Sequence, residues 1–134
     1  MLYPFFAMVV LTVVVGLVAF RARYLGVHSG EVKIKYFRTM QGQSAPDAII
    51  QSTRCFNNQF ELPVLFYVAG LLGLIFEQGQ GILLVLAWVF VGSRVVHAYI
   101  LLTYNNVVHR IYAYWLGVIV VLAMWVYLVI THSA

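Results

Sequence analysis

Arg54, Asn58 and Glu61 sit at i, i+4 and i+7 within the stretch QSTRCFNNQFELPVLFYVAGLLGLIF, Gln51 to Phe76. On one helix this spacing makes a single stripe, roughly 10 Å long at ~1.5 Å rise per residue. Two further pairs obey the same rule, Arg94 with His97 at i, i+3 and Arg110 with Tyr114 at i, i+4. Arginines bind carboxylates or phosphates with a two-pronged fork. Glu61 offers a partner for an ammonium group, and Asn58 can both donate to and accept from an amide. An arginine beside a bound thiol also favours the thiolate, the nucleophilic form.

The elements that must carry these groups are membrane helices. The 134 residues are 63% hydrophobic and only 9% charged, whereas a soluble domain holds about 25% charged residues. Leu2 to Phe20 has no charge and is long enough to span a bilayer. Arg21 and Arg23 follow that run instead of preceding it, and no A-x-A site comes after, so the spacing predicts an uncleaved first helix. Residues 21–50 are the long polar segment, with Arg21, Arg23, Lys33, Lys35 and Arg38 against Glu31 and Asp47, and Gly26, Gly30, Gly42 and Pro46 as breakers. The basic excess predicts a cytoplasmic loop and places both termini outside. Within it, residues 31–40 predict a short interfacial helix with Ile34 and Phe37 toward lipid.

The second helix is expected over residues 51–76, bent by Pro63. A polar hairpin, Glu77 to Gly81, leads to a third helix over 82–104, and a tight turn near Asn105 and Asn106 leads to a fourth over 108–131. The expected fold is an all-α, four-transmembrane-helix bundle forming one domain over residues 1–134. The formal net charge of +4 is gathered in one loop between apolar segments. Membrane topology accounts for it, and nucleic acid is not an expected partner. The single cysteine, Cys55, excludes an intramolecular disulfide and a CxxC metal site; it is expected to pack, and no metal is expected.

Glu61 and Arg94 fall near the middle of their spans, where an ionised side chain is costly, so they are expected to face each other or a shared wet cavity. That cavity would gather Arg54, Asn58, Glu61, Arg94, His97, Arg110 and Tyr114 from three helices and open toward the cytoplasm. The blander alternative is a polar network that merely locks helix packing. A ligand with two carboxylates, an amine and peptide amides matches the inventory, and glutathione is one such molecule.

The pattern R-x-x-x-N-x-x-E-x-P, present as Arg54, Asn58, Glu61 and Pro63, resembles the second-helix signature of the MAPEG superfamily. These are the membrane-associated proteins in eicosanoid and glutathione metabolism. Arg94, His97, Arg110 and Tyr114 are spaced as in the prostaglandin E synthase branch, and the resemblance covers nearly the whole chain. It implies a homotrimer with glutathione as cosubstrate between subunits, held by Arg54, Asn58, Glu61, Arg94, His97 and Tyr114. Arg110 would be the catalytic residue that activates the thiol, and Arg21 or Arg23 would match a first-helix arginine that contacts the glutathione carboxylates. Leu101 stands where eicosanoid enzymes carry a tyrosine, and Ile111 where the prostaglandin branch has a serine. The chain is therefore more similar to small bacterial members related to microsomal glutathione transferase, which implies the bacterial inner membrane. The expected function is a glutathione-dependent transferase or peroxidase acting on lipophilic electrophiles or lipid hydroperoxides. The alternative is a non-enzymatic membrane module that binds a lipid headgroup or stabilises a partner complex.

Overall fold

In lipid every backbone N–H and C=O must find a partner within the chain, so an apolar run of this length has to be helical. The computed structural model describes residues 1–41 and 44–133, and Gly42, expected as a breaker, lies outside them. The described residues form five α-helices and no strand: α1 (Leu2–His28), α2 (Asp47–Asn57), α3 (Leu62–Ile75), α4 (Ile82–Leu102) and α5 (Val107–Ser133). Among the described residues, four segments are long and apolar enough to cross a membrane: Leu2–His28, Asp47–Ile75, Ile82–Leu102 and Val107–His132. The second of these contains both α2 and α3.

α1 runs to His28, eight residues past the expected end at Phe20. Nothing between Arg21 and His28 breaks a helix, since Gly26 alone weakens it only slightly. Its 27 residues span about 40 Å, more than the ~30 Å hydrocarbon layer, so Arg21 and Arg23 sit on helix instead of loop. The stop comes at Gly30, whose φ of +78° no β-carbon favours. Ser29 N–H and Gly30 N–H donate to Leu25 O and Val27 O, at 2.9 and 3.1 Å, and close the last turn. A β-carbon at Gly30 would meet no neighbour within 4 Å among the described residues, so Gly30→Ala is expected to cost only the backbone strain, about 1–2 kcal/mol, read as a lower midpoint in detergent-mediated unfolding. The expected interfacial helix over 31–40 is a shorter 3₁₀ turn, Ile34–Arg38. Ile34 is exposed, but Phe37 is half-buried with the Arg23 guanidinium 5.9 Å above its ring.

The second span is broken rather than bent. α2 ends at Asn57, a 3₁₀ turn covers Asn58–Phe60, and Glu61 leaves the helical region at φ −96° and ψ −95°. Pro63 then falls in the first turn of α3, where its missing N–H is tolerated. The break thus lies just before Pro63, not at it. The turn between α4 and α5 is closed by Asn106, whose Oδ1 accepts from Val108 N–H and His109 N–H at 3.0 and 3.1 Å, a helix N-cap.

α4 packs chiefly against α5, and α1 against α2. The core is apolar, built on Met8, Phe66, Leu83, Phe90 and Met124, all fully buried. Lipid is as apolar as leucine, so helices associate through close packing instead of exclusion from water. Gly73 illustrates this, because a β-carbon there would run into Leu83 Cδ2 across the α3–α4 hairpin. The outer faces stay apolar, as Val9, Val13 and Leu17 of α1 show.

Candidate functional site

At the end of the bundle where α4 stops and α5 begins, the break between α2 and α3 opens a cavity of about 310 Å³. Arg54, Asn58 and Glu61 contribute one wall, His97 and Leu101 of α4 a second, and Arg110, Ile111, Tyr114 and Trp115 of α5 a third. Six of the seven residues expected to form a site therefore line one cavity, although the helix carrying the first three is interrupted. The stripe survives because the 3₁₀ turn leaves Asn58 and Glu61 on the side of Arg54.

Local hydrogen bonds decide which groups remain free for a ligand. Asn58 Nδ2 donates to Arg54 O at 2.8 Å, which commits one amide hydrogen and leaves Oδ1 as an acceptor. Arg110 Nη1 donates to Asn105 Oδ1 at 2.8 Å, so this guanidinium is anchored from the turn that precedes its own helix. The His97 and Tyr114 rings lie 5.9 Å apart, centre to centre. His97 is buried, and its Nδ1 has no hydrogen-bond partner among the described residues. Two guanidinium groups, Arg54 and Arg110, and one carboxylate, Glu61, line the cavity. That surplus of positive charge suits an anionic ligand that also carries an amine.

Arg94 is not on the cavity wall. It is fully buried, and its Nη2 donates to the backbone carbonyl of Asn58 at 2.9 Å. Among the described residues Nε and Nη1 carry no hydrogen-bond partner, so the Glu61 carboxylate is not one of its hydrogen-bonding partners. The guanidinium nevertheless lies within electrostatic reach of Glu61, Tyr114 and Cys55. Cys55 is itself fully buried in a small apolar cluster with Val15, Ala98 and Leu101. Neither candidate arginine of α1 lines the cavity within this chain. Arg21 is exposed, and Arg23 donates from Nη2 to Thr53 Oγ1 at 3.1 Å.

Two lining residues, Asn57 and Trp115, were not among those expected at the site. Asn57 follows Arg54 by three positions and could have been found by the spacing that found Asn58. Trp115 follows Ile111 by four and shares its face, but tryptophan is common near membrane interfaces and gave no separate signal.

A family model, that of the MAPEG family, matches residues 1–130, nearly the whole chain. The chain belongs to the MAPEG family. No curated protein and no solved structure matches it. Four membrane-crossing helical segments together with MAPEG membership make it an integral membrane protein. Within that family frame, the cavity gathers charge and amide groups at one end of an otherwise apolar bundle.

Proposed function

We propose that this MAPEG protein is a glutathione-dependent transferase or peroxidase acting on lipophilic electrophiles or lipid hydroperoxides. The observation that carries the reading is the convergence of Arg54, Asn58, Glu61, His97, Arg110 and Tyr114 on one cavity. Arg54 pairs with a glutathione carboxylate, Glu61 with its ammonium group, and Asn58 Oδ1 with a peptide N–H. His97 and Tyr114 complete the polar wall, and Arg94 supports it from behind. Arg110 stabilises the thiolate, which is only a few per cent of a free thiol at pH 7. With an electrophile, the sulfur lone pair forms a C–S bond and a leaving group departs with its electrons. With a hydroperoxide, the sulfur takes the distal oxygen and an alcohol leaves. A second glutathione thiol then forms the disulfide and releases water.

The proposal includes a homotrimer in the bacterial inner membrane, with both termini outside and the cavity toward the cytoplasm. Ile111 and Trp115, both exposed on α5, form an apolar lip on the same cavity and would receive a substrate arriving from the bilayer. Trp115→Ala is expected to raise KM for a lipophilic electrophile several-fold while leaving the glutathione KM within about twofold. An equal rise in both constants would contradict that division of the cavity.

A second reading rests on the wall beside Arg110, where Leu101 and Ile111 place no hydroxyl. On that reading the protein is a non-enzymatic module whose cavity holds a lipid headgroup or stabilises a partner complex. Turnover of glutathione with a dinitrophenyl halide or an organic hydroperoxide by the purified protein separates the two. Activity above the uncatalysed rate supports the enzyme. An inactive protein that copurifies with one lipid or one partner supports the module.

A further inference from the structure

We infer that Arg94 is a positioning residue: it caps the Asn58 carbonyl from α4 and so holds the break between α2 and α3 in the form that turns Asn58 and Glu61 into the cavity. In an uninterrupted helix the Asn58 carbonyl would accept from the N–H four residues on, at Leu62, and the Gln59 carbonyl from residue 63. Residue 63 is proline and has no N–H. The helix therefore ends here, and carbonyls left without a backbone donor inside a membrane span need another one. Three side chains act as donors at the break: Asn58 Nδ2 to Arg54 O at 2.8 Å, a carbonyl that the Asn58 backbone N–H also reaches, Gln59 Nε2 to Cys55 O at 3.4 Å, and Arg94 Nη2 to Asn58 O at 2.9 Å.

Of these three donors, only Arg94 comes from another helix. It ties the break to α4, the helix that also carries His97, and so sets the α2–α3 wall relative to the α4 wall. Its complete burial and its absence from the cavity lining fit a group that works through Asn58 and Glu61. A guanidinium supplies a long, rigid, permanently charged donor for this task. The role in ligand affinity rests on the glutathione reading above. The role in holding the break does not.

Two readouts on the full-length protein in lipid nanodiscs test it. The first is amide hydrogen exchange without ligand. Arg94→Gln is expected to speed exchange at residues 58–64 while α5 residues 120–128 stay as protected as in the parent, and Arg94→Lys is expected to restore part of the protection. Unchanged exchange at 58–64 in Arg94→Gln would overturn the proposal, whether or not glutathione binds. The second is calorimetric titration with glutathione of the parent, Arg94→Gln, Glu61→Gln and the double variant. Arg94→Gln is expected to weaken binding roughly tenfold, the scale of one lost charged hydrogen bond. The double variant is expected to bind no more weakly than the weaker single variant, because both changes disable one wall. Losses that multiply would mean that Arg94 contacts the ligand directly through Nε or Nη1, and would overturn the positioning role. A parent protein that binds no glutathione would remove the proposed function and leave the exchange result to decide the role of Arg94.

Discussion

Arg110→Ala is expected to lower glutathione-dependent kcat by about 10²-fold or more, the scale seen when one preorganised stabiliser of a developing anion is removed. The expectation follows from placement. Arg110 stands in the first turn of α5, reaches into the cavity, and is held by Asn105 Oδ1 at 2.8 Å. Asn105 itself sits at φ +46°, and Asn106 caps the helix that begins beside it. The guanidinium is therefore oriented before any ligand arrives, and little reorganisation is needed when the thiol ionises. Arg110→Lys keeps the charge but loses the planar fork, so it is expected to recover only part of the rate. Steady-state kinetics with a fixed electrophile check this, provided both variants match the parent in thermal stability. Undiminished turnover in Arg110→Ala would remove Arg110 from the catalytic role.

Phe66→Ala is expected to cause the largest loss of stability among single core changes. Phe66 is fully buried, stacks on Phe90 with centroids 4.5 Å apart, and meets the edge of Phe5 at 5.5 Å. It joins α1, α3 and α4 at one point. In water, phenylalanine-to-alanine changes in cores cost about 3–5 kcal/mol. In a bilayer the transfer component is much reduced, because the exposed alternative is lipid and not water. The cavity component remains: at ~24 cal/mol per Å³, the roughly 100 Å³ vacated by a phenyl ring gives about 2 kcal/mol. Reversible unfolding in mixed micelles measures it. A loss near zero would mean that the helices collapse onto the gap, and one near 5 kcal/mol that the aromatic cluster contributes beyond simple filling.

The helical bundle was legible because the membrane restricts the backbone to few choices. Long uncharged runs such as Leu2 to Phe20 have only one satisfied conformation in lipid, and the polar spacers between them mark the turns. The stripe of Arg54, Asn58 and Glu61 was legible for a related reason, since charged groups inside such a run have nowhere to go but one another or a cavity. What the sequence left open was decided by individual backbone hydrogen bonds. Pro63 announced a disturbance, but whether the chain bends or breaks depended on donors for the carbonyls beside it, those of Cys55 and Asn58 among them. One donor, Gln59, is a near neighbour, while the other, Arg94, lies 36 positions along the chain. The same long-range contact moved Arg94 from the expected cavity wall to the backbone behind it. The extension of α1 to His28 was hidden by charge: Arg21 and Arg23 read as the start of a loop, although a helix can carry such residues out of the bilayer.

Under the proposed function the cavity binds glutathione and ionises its thiol. Titration of the detergent-purified protein with glutathione, following the heat of binding and the ultraviolet absorbance of the thiolate together, measures both steps. Saturable heat accompanied by thiolate absorbance, with the absorbance lost in Arg110→Ala, is the predicted result. Saturable heat without thiolate would keep the ligand and contradict the role of Arg110, and no binding at millimolar glutathione would contradict the account itself.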